Sequence, residues 1–367
     1  MEFLPRTLGT RPRLACEVRA EGVVAARAED ASAVLSAVSQ VALASGVAIP
    51  HLRGGEAAET GAGAIGNGVI GRGMLVAAIR KVLEDVSQRT RDVTLVVPDA
   101  AVRVLLLEFD SLPAKAAEAL PLVRFRLKKL LPFDADDAAV SYQVMATSRG
   151  VMQVLAVAMP NELQAEYEAV VREAGFEPGA VLPSTLAALA GLEEREIPTL
   201  IVNAGRDGVT TAIVKAGVLL LHRTVDLADG AAPVGSVAAA MEPVDTSIAA
   251  IAARMAALEN RVPVREPEVV VEASVIAPKN EIGQAVSVAA AYFEDTLQSA
   301  PAVVLAAGPL GAETLTAIID EAGVGIGPVA VQEMVERQML GDGAASAGSR
   351  GGVPLGWLAG VRGALSN

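Results

Sequence analysis

Few residues in this sequence could act as nucleophiles or general bases. There are two histidines, His51 and His222, and one cysteine, Cys16. His51 follows Pro50 in an expected loop, and His222 lies at the end of an expected strand. No carboxylate motif accompanies either, so we interpret both as surface or hydrogen-bonded side chains outside any catalytic triad. Cys16 lies within an expected strand, which is typical of a small buried side chain.

Sequence motifs typical of metal-binding sites are also missing. Cys-x-x-Cys, His-Glu-x-x-His and EF-hand patterns do not occur, so we expect neither structural zinc nor another metal site. Asp134, Asp136 and Asp137 are interrupted by an alanine. We interpret these three aspartates as a solvated loop before a strand.

A glycine-rich motif at residues 61–66 matches the pattern G-x-G-x-x-G. In dinucleotide-binding folds this pattern follows a strand directly, so that the pyrophosphate meets a helix N-terminus. Here the polar residues 53–60 precede the motif. The pattern G-x-x-x-x-G-K-[ST] does not occur either, so we expect neither a Rossmann dehydrogenase nor a P-loop ATPase.

A basic cluster lies near the end of a helix predicted at residues 114–131. It consists of Arg124, Arg126, Lys128 and Lys129. Cations near a helix C-terminus complement the helix dipole, which is the simpler explanation. The sequence leaves open that the cluster is a docking face for an acidic partner.

Composition excludes several classes of protein. The chain has 367 residues, 52% of them hydrophobic, which suits about two folded domains and excludes disorder along the whole length. With 30 Lys and Arg against 43 Asp and Glu, the formal net charge is −13, so we expect no nucleic-acid partner. A single cysteine, and no basic and apolar leader at the start, predict a cytoplasmic protein. The charge-free residues 31–52 carry several polar groups, which favours a strand and turn over a membrane span.

Hydrophobic periodicity predicts two halves of similar layout. Residues 13–27 indicate a β-hairpin, and residues 199–224 indicate three strands joined by tight turns. Between them, a helix at residues 74–89 precedes the order ββαββα at residues 93–175. Because both halves open on a strand hairpin, we predict an internal duplication.

Short motifs in the middle of the chain occur in an order and spacing found in a known family. These motifs are Val96-Val97-Pro98-Asp99, residues 104–109 with Leu112-Pro113, Leu130-Leu131-Pro132-Phe133 followed by Tyr142-Gln143-Val144, and Val181-Leu182-Pro183-Ser184 with Leu186-Ala187. The chain thereby resembles the PilM family of type IV pilus assembly proteins, which are cytoplasmic and have an actin-like ATPase fold.

The resemblance implies an α/β fold of the actin-like (ASKHA, ribonuclease H-like) class, with two duplicated lobes and an inserted ββαββα subdomain. On this basis we expect the following division of the chain: residues 1–92 as the first lobe, 93–180 as the inserted subdomain, 181–225 and 279–340 as the second lobe, 226–278 as a reduced subdomain or flexible insertion, and 341–367 as a linker and C-terminal helix that packs on the first lobe.

The resemblance also implies where a nucleotide would bind, because one hairpin from each actin-like lobe grips the phosphates. The family pattern Asp-Ile-Gly is replaced by Glu17-Val18-Arg19 in the first hairpin and by Asn203-Ala204-Gly205 in the second. These departures predict a degenerate site that binds no nucleotide, or binds ATP with Mg²⁺ without hydrolysing it. The candidate nucleotide-site residues are Glu17, Arg19, Asn203, Gly205, Thr210 and, in the adenosine segment, Gly308.

PilM-like proteins hold the cytoplasmic tail of the membrane protein PilN. If this carries over, the chain is an adaptor between the pilus platform and its motor, recruited to the inner face of the inner membrane by its partner alone. We would place the groove for the tail within residues 93–131. Two alternatives stay open: an active actin-like ATPase or sugar kinase, and a cytoplasmic component of type II secretion similar to GspL.

Overall fold

The computed structural model describes residues 12–30, 32–44, 47–48, 68–148, 150–227, 279–299, 301–323, 330–341, 344 and 353–366. Outside these residues lie the sequence predictions for His51, for the glycine-rich motif at 61–66, for segment 226–278 beyond Leu227 and for most of the linker that begins at residue 341. They stay predictions.

The first lobe is built on a five-stranded sheet with the order β3-β2-β1-β4-β8. Strands β1 to β3 form an antiparallel meander, and β1, β4 and β8 run parallel. Helix α1 packs on one face of this sheet. The bounds are β1 Leu14–Arg19, β2 Gly22–Ala28, β3 Leu35–Ala42, α1 Gly68–Val86, β4 Asp92–Val97 and β8 Glu177–Pro183.

The alternation of side chains along β1 sets the two faces of the first sheet. Leu14, Cys16 and Val18 pack against α1, and burial raises the pKa of the Cys16 thiol. Ala15 belongs to the hydrophobic core on the other side. By the same alternation, Glu17 and Arg19 share that second face.

The second lobe repeats this architecture with the sheet order β11-β10-β9-β12-β13. Strands β9 to β11 are antiparallel, and β9, β12 and β13 are parallel. The repetition of order and direction confirms the predicted duplication. The bounds are β9 Thr199–Ala204, β10 Gly208–Lys215, β11 Val218–Asp226, α5 Lys279–Tyr292, β12 Val303–Ala307, α6 Ala312–Glu321 and β13 Val331–Glu333.

A third sheet, of order β5-β7-β6, belongs to the insertion. The chain order over residues 93–180 is ββαββα as predicted, but β4 and β8 pair within the first sheet. Helix α3 packs against α1 of the first lobe. The third sheet and α2 therefore span residues 103–160, a shorter stretch than the residues 93–180 expected for the inserted subdomain. Chain order does not reveal which neighbour a buried strand pairs with. The bounds are β5 Arg103–Phe109, α2 Ala116–Leu127, β6 Ala138–Ser148, β7 Val151–Pro160 and α3 Asn161–Glu173.

Two predicted helix bounds also change. Helix α1 spans Gly68–Val86, whereas the periodicity of the sequence predicts residues 74–89. Helix α4 spans Ser184–Ala190 and directly follows β8. None of the helices in the described ranges combines the length and hydropathy that crossing a lipid bilayer requires.

The last helix, α7 (Leu358–Leu365), closes the first lobe. It contacts α4 and strands β1, β2 and β4, and most of its side chains are buried. Close approach depends on glycine, because a Cβ at Gly363 would lie 1.8 Å from the carbonyl oxygen of Ala187. The two helix backbones therefore touch at this point.

Replacing Gly363 by alanine should destabilise the protein, because α4 and α7 would have to separate. We expect Gly363→Ala to lower the free energy of unfolding by about 1–3 kcal/mol. Gly73→Ala is the matched control: a Cβ there meets nothing within 4 Å, so stability should rise by about 0.5–1 kcal/mol. Urea unfolding measures both, and equal stability of the two variants would contradict the packing described.

Candidate functional site: the cleft between the two hairpins

The equivalent hairpins of the two lobes face each other across a cleft. The turn between β1 and β2 carries Glu21, and the turn between β9 and β10 carries Gly205, Arg206 and Asp207. The carboxylate of Glu21 accepts the backbone N–H of Arg206. A carboxylate of one lobe is therefore bound to a backbone amide of the other.

Arg19 is the centre of the cleft and only 6% of its surface is exposed. Its Nε donates to Oε1 of Glu17 at 2.7 Å, and its Nη2 donates to Oγ of Ser184 and to Oδ1 of Asn203, each at 2.6 Å. A guanidinium can serve several acceptors because its donors are fixed in one plane. One side chain thus joins the first lobe, α4 and the second lobe.

The pKa of Arg19 reflects two opposing effects. Burial lowers it, but the carboxylates of Glu17, Glu21 and Asp207 outweigh burial, so the pKa rises above its ordinary value. The guanidinium is therefore held in its charged form by acids from both hairpins.

Glu17 is fully buried beside this cation. Its Oε1 also accepts the hydroxyl of Ser184 at 2.6 Å. Its Oε2 has no hydrogen-bond partner among the described residues and lies against the backbone of Gly360, where a Cβ would approach to 2.7 Å. Burial raises the pKa of Glu17, although the charge of Arg19 and the hydroxyl of Ser184 oppose the rise.

Asn203 completes the bridge because it offers an acceptor and a donor. Its Oδ1 accepts from Arg19, while its Nδ2 donates to Oγ of Ser184 at 3.0 Å, to Oγ1 of Thr185 at 2.9 Å and to Oδ2 of Asp99 at 3.4 Å. An aspartate at position 203 would lose these donations and face Asp99 with a like charge. The departure from the family's aspartate therefore has a structural reason.

Asp99 holds the start of α4 in place. Its Oδ1 accepts the backbone N–H of Thr185 at 3.0 Å, and its Oδ2 accepts the Thr185 hydroxyl. A carboxylate at a helix N-terminus satisfies an otherwise free amide. Asp99 follows Pro98 just after β4, and Ser184 follows Pro183 at the end of β8. Strands β4 and β8 are parallel neighbours, so their ends lie side by side.

Gly308, in the predicted adenosine segment, is also engaged within the chain. It has a φ of +84°, and a Cβ there would lie 2.6 Å from Oδ1 of Asn203, so glycine is required. Its N–H donates to the carbonyl of Gly356 at 2.8 Å. The first amide of α6, that of Ala312, donates to Oε1 of Glu333 at 2.7 Å.

Five of the six candidate residues meet in the cleft: Glu17, Arg19, Asn203, Gly205 and Gly308. The sixth, Thr210, instead shares a hydrogen bond of 3.0 Å with Thr224 on the next strand. Sequence reasoning did not assign four further members, although the first three of them lie in or beside the family motifs: Asp99, Ser184, Thr185 and Glu21.

His222 differs from its sequence interpretation. It is half-buried on β11, and its Nε2 has no hydrogen-bond partner among the described residues. Burial lowers the pKa of the imidazole. His222 is therefore only partly exposed, and its Nε2 makes no hydrogen bond to the part of the chain that the structure describes.

Removing the central cation should strongly destabilise the fold, because Glu17 would stay buried without its partner. We expect Arg19→Met to lower the free energy of unfolding by about 3–5 kcal/mol. Adding Glu17→Gln should recover part of this loss, since the two side chains are coupled. Lys81→Met, which breaks an exposed ion pair with Asp85, is the control and should cost no more than about 0.5 kcal/mol. A loss below about 1 kcal/mol in Arg19→Met would contradict the bridge.

The buried acids should make the protein less stable as pH rises. Burial, together with the charge of Glu21, raises the pKa of Asp207 from 3.8 to about 7. Between these values the folded state holds a proton that the unfolded state has released, so the free energy of unfolding falls as pH increases.

Asp207→Asn should flatten this dependence between pH 5 and 7, measured by urea unfolding at a series of pH values. Asp30→Asn is the control: hydrogen bonds from the Ser32 hydroxyl and amide hold the pKa of exposed Asp30 below 3.8, so the slope in that range should not change. An unchanged slope in Asp207→Asn would show that this carboxyl loses its proton normally.

No protein-family model matches this sequence, and no curated protein matches it. Solved structures do match. The chain is similar to a structure described as a PilM-PilN type IV pilus biogenesis complex, with a TM-score of 0.66 and 16% identity over 96% of this chain and 98% of the other.

Two further structures are similar at lower TM-scores. The cytoplasmic domain of EpsL, an inner membrane component of the type II secretion system of Vibrio cholerae, gives a TM-score of 0.41 and 13% identity over 84% of this chain and 93% of that domain. The ethanolamine utilization protein EutJ from Carboxydothermus hydrogenoformans gives a TM-score of 0.42 and 11% identity over 100% of this chain and 91% of that protein. The pilus structure carries the conclusion: the chain has the actin-like fold seen in PilM, as the motifs in its sequence predicted.

Proposed function

We propose that this chain is a scaffold of type IV pilus assembly that holds the tail of a PilN-like membrane protein and does not hydrolyse nucleotide. The observation that carries this proposal is the bridge centred on Arg19, in a fold shared with PilM over nearly the whole chain. A molecule whose lobes are tied together through the cleft is suited to hold partners, not to turn over a substrate between its lobes.

The contacts that a nucleotide would need are made within the chain. In the actin-like fold the phosphates bind to hairpin amides, but here the amide of Arg206 binds the carboxylate of Glu21. Gly308 donates its amide to Gly356. The acids Glu17, Glu21 and Asp207 surround a single guanidinium, so phosphate groups would be repelled. The residues of the cleft therefore do not fit ATP with Mg²⁺.

An exposed apolar face of α2 supports partner binding by the insertion. Phe125 is 68% exposed and Leu122, one turn earlier, is 46% exposed. Residues three apart lie on one helix face, and exposed aromatic side chains are common anchors of binding sites. Both lie within residues 93–131, the region in which we would look for the groove. We infer that the PilN-like tail packs on this face, which would bring the chain to the inner face of the inner membrane, beside the pilus platform and motor.

The partner is tested by calorimetry with a synthetic peptide that spans the cytoplasmic N-terminus of the PilN-like protein of the same organism. We expect micromolar binding that Phe125→Asp weakens at least about tenfold, since the apolar anchor is lost. Ile197→Asp is the control, because Ile197 is 55% exposed but lies outside the insertion. No binding of the unaltered protein at high micromolar peptide would refute the adaptor role.

The nucleotide is tested separately by titration with Mg-ATP and by an assay of phosphate release. Because the hairpin amides are engaged within the chain, we expect neither heat of binding nor release of phosphate. Micromolar binding with steady release would instead support an active actin-like ATPase or sugar kinase.

A further inference from the structure

The basic cluster of α2 divides into two pairs with different surroundings. Arg124 donates to the carbonyl of Ala138 at 2.9 Å, and Lys128 forms an ion pair of 2.5 Å with Asp136. Arg126 and Lys129 are exposed and have no carboxylate partner among the described residues. The helix dipole explains none of this division, since all four residues lie near the same helix end.

Arg126 and Lys129 line a cavity with a volume of about 540 Å³. It lies between the inserted sheet and the β11 and α5 side of the second lobe. Its volume is typical of sites that bind small molecules or peptide side chains. Apolar side chains form most of the wall: Leu106, Leu107, Leu130, Met145, Leu219 and Leu220.

Two edge strands meet at this cavity. β5 pairs only with β7 and β11 only with β10 among the described strands, and although β5 and β11 contact each other they belong to separate sheets. Leu220 is bulged out of the β10–β11 ladder, and its carbonyl accepts the hydroxyl of Tyr292 at 3.2 Å. Unpaired edges can accept the backbone of an extended peptide.

We propose that this cavity binds a short acidic peptide segment of a partner protein. Apolar side chains of the peptide enter among the leucines, and its carboxylates pair with Arg126 and Lys129. Charge complementarity selects this occupant, because two unpaired cations stand at an apolar cavity on a chain whose net charge is −13. A nucleic acid lacks the aliphatic groups that would pack among the leucines of the wall.

This site is separate from the cleft, and the proposal does not depend on the role in pilus assembly. The cavity borders both the insertion and the second lobe, so a bound segment would contact two parts of the molecule at once. An adaptor could in this way hold a second partner.

Fluorescence anisotropy with a labelled peptide of alternating leucine and glutamate tests the proposal on the full chain. We expect saturable binding that the double variant Arg126→Glu with Lys129→Glu weakens at least about tenfold, and that Leu130→Ser also weakens. Lys115→Glu is the control, because Lys115 flanks the same helix but is 81% exposed and lies outside the cavity. This variant should bind the peptide as tightly as the unaltered protein does. All four positions are exposed, and thermal unfolding verifies that each variant folds.

Two reference peptides separate a specific site from general attraction. A peptide with lysine in place of glutamate should not bind, and a peptide of glutamate alone should bind at least about tenfold more weakly, because it lacks apolar side chains. Equal binding of either reference peptide, full binding to the Arg126→Glu and Lys129→Glu variant, or no binding of the leucine–glutamate peptide at millimolar concentration would overturn the proposal. These results test only the cavity. They leave the proposed binding of the PilN-like tail and the expected absence of ATP hydrolysis to the experiments described above.

Discussion

A buried arginine between two lobes is the interaction on which the rest of this structure depends. Desolvating a guanidinium costs several kcal/mol unless acids and hydrogen-bond acceptors surround it. Here Glu17, Ser184 and Asn203 accept its hydrogen bonds, while Glu21 and Asp207 add negative charge. Because these groups come from both lobes and from α4, the position of each lobe is constrained by the same cation.

The same constraint explains why the two hairpins depart from the pattern Asp-Ile-Gly of the family that the chain resembles. Because Arg19 lies in the cleft, the residue at position 203 must accept a hydrogen bond from its guanidinium and donate to the hydroxyls of Ser184 and Thr185. The amide of Asn203 does both, whereas a carboxylate could only accept. The residues that replace this pattern in the two hairpins are therefore coupled through one hydrogen-bond network. The duplicated frame is kept because its stability comes from apolar layers on both faces of each sheet.

The C-terminal segment extends this network on the side of the first lobe. Gly360 allows α7 to approach the carboxylate of Glu17, and Gly356 accepts the amide of Gly308. Close backbone contact excludes water and keeps the local dielectric low, which strengthens the charge interactions of the bridge. The insertion, in contrast, exposes the apolar side chains of Leu122 and Phe125, and its cations Arg126 and Lys129 have no carboxylate partner within the described part of the chain.

The sequence by itself determined the class of fold. Alternating and helical periodicities depend on local geometry, so they revealed the hairpins, the order ββαββα and the duplication, while short motifs indicated the resemblance to PilM. It also drew attention to Glu17, Arg19 and Asn203. Only the tertiary structure decided that β4 and β8 belong to the first sheet, that Arg19 bridges the lobes and that Arg126 and Lys129 line a cavity. These contacts join residues that are distant in the chain, 85 positions for the strand partners Asp92 and Glu177 and 184 for Arg19 and Asn203, and no local pattern records such contacts.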